Sequence, residues 1–256
     1  MNNRSLVSII TVCYNSEKYI ETAIKSILSQ NYNNIEYIVI DGGSKDRTVE
    51  IVRKYSELST IRIKVVSEPD EGIYDAMNKG VKLAEGEIIG ILNSDDFYIN
   101  DEVITCVVNE FEATNADMVY GNLIFVDRED INRTVRVWDT FKGEFSKGWN
   151  PPHPSTFIKS SIYKEFGYYK KEYKISSDYD LFYRMIEVGK VSHHHLNKTL
   201  VKMRVGGAST SGWKSNYVGS KEIYQTLKEN NVRFKSWIVI IRILKKINQF
   251  NSKKKS

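Results

Sequence analysis

Asp95 and Asp96 stand side by side in NSDD, directly after the apolar run EIIGIL. Two adjacent carboxylates repel each other unless a cation or a hydrogen-bond donor lies between them. Hard divalent cations such as Mg2+ or Mn2+ suit that arrangement, because they take one or two carboxylates together with phosphate oxygens. A plainer alternative is that helix N-termini also favour aspartate. Three more polar clusters follow apolar runs in the same way: Thr11–Asn15 at the end of LVSIITV, DGGSKD after IEYIVI, and SEPDEG after IRIKVV. Turns are rich in Asp, Gly and Asn for conformational reasons alone. Four clusters at equivalent places argue for more than turns.

The segments that must hold these clusters alternate between strand and helix. LVSIITV reads as a central strand buried on both faces. Asn15 and Ser16 then look like a helix start, and Tyr19, Ile20, Ala23, Ile24, Ile27 and Leu28 recur at helical spacing. IEYIVI leads into a helix with Val49, Ile51, Val52 and Tyr55. IRIKVV leads into one near Ile73–Ala84, and EIIGIL is a fourth strand. Repeated βα units imply a parallel sheet with helices on both faces. Ligands bind beyond the carboxyl ends of such strands, where all four clusters fall.

After Asp101 the rhythm changes. A helix around Val103–Glu112 precedes three short strand candidates, ADMVYG, LIFVD and TVRVW, spaced for hairpin pairing. GWNPPHPS is a rigid loop. TFIK, a helix near Asp178–Val188, and two helices over about Lys214–Glu229 and Arg233–Asn248 complete the chain, with KKKS as a disordered end. His193, His194 and His195 resemble a metal tract, but strand neighbours point to alternate faces, so a strand with one inward His is expected.

SIITVCYN, IEYIVIDGGSKDRT and GIYDAMNKGVKLAEGEIIGILNSDDF, in that order and spacing, resemble glycosyltransferase family 2 over residues 5–100, with a weaker match at SSDYDLFYRM. The resemblance implies an α/β GT-A fold: a Rossmann-like, mostly parallel sheet flanked by helices, with a C-terminal acceptor subregion and terminal helices. It implies that Thr11 and Tyr14 line a nucleoside pocket and that Asp41 accepts a hydrogen bond from the base. Asp95 would lie near the ribose or metal, and Asp96 would hold the metal on the diphosphate. Asn93 stands where the motif usually has its first Asp. Many relatives carry an Arg before the fourth strand; here YDAMNKG leaves Lys79 as the nearest cation. Asp178 matches the family's catalytic base, with Ser177 in place of the preceding Glu. The competing reading makes Asp178 a helix N-terminal residue and pairs Asp180 with Arg184 one turn on. His153 falls in the PPHPS loop, where relatives often have a His and where an acceptor can pass. VGGAS resembles a loop that closes over the donor.

The net charge is +5, yet eight basic residues and no acid lie within 231–256, so the remainder is net negative. Phe234, Trp237, Ile238, Ile241 and Leu244 share a helical stripe there, with Lys235, Arg242, Lys245 and Lys246 mostly off it. Such a helix either docks on the protein's own core or lies on an anionic membrane. A GxGxxG after the first strand is absent, which argues against a dinucleotide oxidoreductase. TVCYNSEKY lacks the glycine-rich phosphate loop of sugar nucleotidyltransferases, the alternative function. The basic residues sit on a hydrophobic helix rather than among stacking aromatics, so no nucleic acid is expected. The first apolar run is too short for a signal peptide and no window is long enough to span a bilayer. Cys13 and Cys106 are expected as buried, reduced thiols.

Taken with the residue pattern, the resemblance implies a cytoplasmic transferase, inverting and assisted by Mn2+ or Mg2+, moving sugar from a UDP-sugar to a glycan or lipid-linked acceptor in polysaccharide assembly. Residues 1–100 would bind the donor, 101–212 the acceptor, and 213–256 would form terminal helices that touch the inner face of the membrane.

Overall fold

A computed structural model describes residues 4–207 and 213–251. The first hundred residues form β1 (Val7–Cys13), α1 (Ile20–Leu28), β2 (Ile35–Asp41), α2 (Thr48–Leu58), β3 (Arg62–Ser67), α3 (Ile73–Leu83) and β4 (Ile88–Ile91). Every residue of β1, β2 and β4 is buried, which is why these strands read as continuous apolar runs. They pair in parallel, β1 with both β2 and β4, and β3 closes the edge beside β2. The carboxyl ends of these strands therefore lie together.

The second half adds β5 (Phe97–Tyr98), α4 (Val103–Thr114), β6 (Met118–Val126), β7 (Thr134–Trp138), β8 (Thr156–Lys159), α5 (Ser160–Phe166), α6 (Ser177–Phe182), β9 (His193–Arg204), α7 (Trp213–Glu229) and α8 (Lys235–Asn251). All nine strands share one sheet, ordered β3-β2-β1-β4-β8-β6-β9-β5 with β7 attached to β6. The sheet thus crosses residue 100 without a break, and β8 enters it antiparallel to both β4 and β6. Successive strand residues point to opposite faces. One face packs Ile10 and Ile89 against α3, α6, α7 and α8, and the other packs Ile9 and Val7 against α1, α2 and α4.

Several elements differ from the sequence reading. The two strands expected over ADMVYG and LIFVD are one, β6. Gly121–Asn122 looks like a turn, but β9 absorbs the irregularity as a bulge alongside these residues. A Cβ on Gly121 would lie 2.8 Å from the Lys198 carbonyl oxygen, so glycine there serves close approach rather than reversal. The histidine run does open a strand, but with two ring contacts on one face. His193 and His195 lie against Tyr120, while His194 turns out to Glu110 at 3.0 Å. Both cysteines are free, yet only Cys13 is buried; Cys106 is half-buried and receives a hydrogen bond from Lys198. The helix expected at Asp178–Val188 becomes α6 followed by a π-helical turn over Tyr183–Val188. No helix among the described residues is long and apolar enough to cross a membrane. KKKS at the chain end lies outside the described residues.

Candidate active site

A cavity of about 1500 Å3 opens at the carboxyl edge of β1 and β4 and runs beneath α6 and α8. At its β1 end the loops are stitched together. Asn15 Oδ1 accepts from the Lys45 N–H, the Asn15 N–H donates to Ser44 Oγ, and the Glu17 N–H donates to Asp46 Oδ2, all within 3.0 Å. Asn15 has a left-handed backbone, φ 47°, which asparagine tolerates better than most residues. Tyr14, 60% exposed, lines the cavity, as do Val12, Asp46 and Asp70.

Thr11 and Asp41 do not line it. Thr11 is fully buried in β1, one residue short of the cavity-lining Val12. Asp41 is 1% exposed. Its Oδ2 accepts from the Gly43 and Ser44 N–H groups and from Ser67 Oγ, and its Oδ1 accepts from Ser44 Oγ. It fixes the DGGSKD loop from behind. Lys79 is likewise engaged elsewhere: its ammonium pairs with Glu68 at 2.8 Å and donates to the Pro69 carbonyl at 3.0 Å.

The acidic pair divides between interior and cavity. Asp96 is 1% exposed; its Oδ2 accepts from Asn93 Nδ2 at 3.0 Å and its Oδ1 from the Arg204 N–H at 3.2 Å. Burial, and then the neighbouring Asp95, push its carboxyl well above the usual range. Asp95 faces the cavity. Burial raises its carboxyl too, against the pull of Arg128 and Arg204. Among the described residues no three His, Cys, Asp or Glu side chains gather as a metal cage. Mg2+ and Mn2+ commonly take only one or two protein carboxylates when phosphate oxygens complete the shell. Asp95 fits that role, and Asp96, with both oxygens engaged, fits a supporting one.

Asp178 lies in the first turn of α6, where it lines the same cavity. The turn before it is held by Glu222 of α7, whose carboxylate accepts the N–H groups of Lys174, Ile175 and Ser176 at 2.7–3.0 Å. Burial lifts the Asp178 carboxyl above the usual range; His153, the local backbone N–H groups and Arg242 pull it partly back. No cation lies within ion-pair distance of it among the described residues. The carboxylate in an ion pair is the next acid, Asp180, fully buried and joined to Arg184 and Lys170 at 2.8 Å each. The Asp180–Arg184 pair therefore forms, and it leaves Asp178 to the cavity. His153 lines the cavity as well, stacked on Phe182 and hydrogen-bonded through Nε2 to the Tyr169 hydroxyl at 2.9 Å. Burial holds its imidazole below the ordinary range, with Asp178 acting the other way.

The model of "Glycosyl transferase family 2" matches residues 8–185. The chain belongs to that family. An uncharacterized glycosyltransferase of Rickettsia typhi is 30% identical over 226 residues, covering 85% of this chain and 69% of that protein. Hyaluronan synthase of Pasteurella multocida is 30% identical over 224 residues, which are 82% of this chain but only 22% of the synthase. Among solved structures, S. aureus TarS 1–349 in complex with UDP-GlcNAc superposes with a TM-score of 0.70 at 20% identity, covering 93% of this chain and 71% of that one. The mannosyltransferase PcManGT of Pyrobaculum calidifontis, in complex with GDP-Man and Mn2+, gives 0.69 at 16% identity, covering 95% and 74%. The architecture is the GT-A fold, and the protein is a glycosyltransferase rather than a nucleotidyltransferase.

Sequence reasoning misses two residues that line this cavity, Arg128 and Arg242, and two that brace its lining, Arg204 and Glu222. Arg128 lines the cavity beside Asp95, its Nε donating to the Tyr19 hydroxyl at 2.8 Å. Arg204 ends β9, and its Nη1 donates to the Asp95 carbonyl at 2.5 Å. The only signal for it is its place just before VGGAS. Of that segment, Gly206 and Gly207 line the cavity, a Cβ on Gly207 falling 3.4 Å from Asp95 Oδ2, and Ala208 and Ser209 lie outside the described residues. Glu222 and Arg242 come from the terminal helices, where no local motif points inward. The tail does dock: Ile238 is buried in the core, and Arg242 Nη1 donates to Asn150 Oδ1 at 2.6 Å. Phe234, Trp237, Ile240 and Leu244 of the same segment stay exposed.

Proposed function

We propose that this glycosyltransferase moves a sugar from a nucleotide-sugar, in particular a UDP-sugar, to a hydroxyl of a glycan or lipid-linked glycan, inverting the anomeric centre in one displacement. The observation that carries this reading is that Asp95 and Asp178, set at the ends of β4 and the start of α6, open into one cavity. Residues 1–100 bind the donor, 101–212 the acceptor. Tyr14 lines the nucleoside end; Thr11 lies buried in β1 behind it, and Asp41 and Lys79 hold the adjoining loops. Asp95 holds Mn2+ or Mg2+, with Asp96 fixing the turn, and the ion offsets charge on the nucleoside diphosphate. The UDP-GlcNAc named for the TarS complex supports the donor class, and the Mn2+ named for the mannosyltransferase complex supports a divalent ion.

Asp178 takes the proton of the acceptor hydroxyl as that oxygen attacks the anomeric carbon. The bond from that carbon to the diphosphate oxygen breaks at the same time. A sugar hydroxyl is a poor nucleophile until its proton is removed, so one positioned carboxylate suffices. His153 lines the part of the cavity that takes the acceptor, with the buried Tyr169 holding its ring from behind. The names hyaluronan synthase and chondroitin synthase among the relatives support a glycan acceptor and a place in polysaccharide assembly.

The exposed Phe234, Trp237, Ile240 and Leu244, together with the basic residues of 231–256, support contact with an anionic membrane at its cytoplasmic face. The transfer reading is tested by nucleotide release from UDP-, GDP- and dTDP-sugars with Mn2+. Release from a UDP-sugar with inverted product stereochemistry is expected, and retention of configuration would reject the single displacement.

A further inference from the structure

Arg242 is the one basic residue of the tail whose described contacts lie in the cavity wall. It projects from the docked face of α8, with its guanidinium 4.6 Å from the centre of the Tyr179 ring. Nη1 donates to Asn150 Oδ1 at 2.6 Å and more weakly to the Gly148 carbonyl at 3.4 Å. These contacts fix the plane of the group, since a guanidinium stacks on an aromatic face and donates in a rigid fork. They use only one of its three nitrogens. Nε and Nη2 have no acceptor among the described residues, and Arg242 and Asp178 line the same cavity without an ion pair between them. A cation with two spare donors beside the acceptor-side carboxylate is complementary to an oxyanion, and its fork matches carboxylate or phosphate.

We infer that Arg242 is a specificity residue that binds an oxyanion carried by the acceptor, either the carboxylate of an acidic sugar or the phosphate of a lipid carrier. This rests on the acceptor-side reading of Asp178. The anion would be held beside the base, so the terminal helix would select acceptors while the first hundred residues select donors.

Binding of glucuronic acid, glucose, decyl phosphate and decanol to the full chain, followed by ligand-observed NMR with UDP present, tests the assignment. Wild type should favour glucuronic acid over glucose, or decyl phosphate over decanol; which pair shows the preference identifies the source of the anion. In Arg242→Gln the preference should fall roughly 10- to 100-fold, the scale of a charged hydrogen bond, with UDP binding unchanged. Asn150→Ala removes the Nη1 acceptor but keeps the cation, so it should retain the preference, and Arg242→Lys should retain part of it. Equal loss in Asn150→Ala and Arg242→Gln would make Arg242 a structural tie and overturn the proposal. So would a wild type with no preference for either anion. A wild type that prefers the anion yet binds no nucleotide would uphold the anion site while the donor reading falls.

Discussion

At Asp178 the demands of chemistry and of folding oppose each other. Its carboxyl is raised by burial in the folded chain and is ordinary in the unfolded one. In acid, below the unfolded value near about pH 4, both states are protonated and burial carries no charge penalty. As pH rises through the raised folded value, the folded chain must hold a charge that the unfolded chain solvates freely, so that stability is lost. Asp178→Asn removes the penalty. It should raise the melting temperature at neutral pH, with the gain shrinking toward pH 4, while turnover falls by roughly two to four orders of magnitude. Thermal melts across pH, paired with rates and nucleotide affinity, check this; a variant that melts lower at neutral pH and also loses nucleotide binding would point to a structural carboxylate. The neighbouring acids should separate in the same way. Asp95→Ala should abolish the Mn2+-dependent part of nucleotide affinity with little change in melting. Asp96→Ala strands the buried Arg204 N–H and the Asn93 amide and should cost about 1–3 kcal/mol in denaturant titrations.

The elements that place these residues were legible to different degrees, for physical reasons. The βα units of the first half announce themselves because each strand is buried on both faces and each helix repeats its apolar residues locally. The clusters at their carboxyl ends could be located, but not which side chain turns outward: Val12 rather than Thr11, and Asp95 rather than Asp96, reach the cavity. That choice depends on strand phase and on partners such as Arg204, 108 positions from Asp96 in sequence. α6 depends on a contact of the same kind. Glu222 takes three N–H groups from 46–48 residues away, and no local pattern marks it. Glu222→Ala should leave those donors short of a partner, lower stability by about 1–3 kcal/mol and reduce turnover more than nucleotide affinity. Glu222→Gln, which keeps an acceptor, should recover part of both. Equal loss of nucleotide affinity would show that α7 supports the donor side instead.

Across the whole molecule, α8 joins the cavity to the outer surface. Its two faces should respond to mutation in opposite ways. Ile238→Ala removes a buried anchor and should cost about 2–5 kcal/mol, measured by denaturant unfolding, with vesicle binding retained while the chain stays folded. Phe234→Ser with Trp237→Ser alters exposed residues and should leave melting nearly unchanged while weakening binding to anionic vesicles. Each basic residue at such a surface contributes on the order of 1 kcal/mol, screened by salt, so binding should also fall as salt rises. Intact protein that ignores anionic vesicles at low salt would reject the membrane face. The central claim is that one cavity holds a nucleotide-sugar at Asp95 and delivers its sugar past Asp178. Nucleotide release with Mn2+ from whichever of the UDP-, GDP- and dTDP-sugars wild type turns over, measured side by side for wild type and Asp178→Asn after both are shown to bind that nucleotide equally, tests it most directly. Release by wild type and its near-complete loss in the variant is the predicted result; equal release by both proteins would contradict the account.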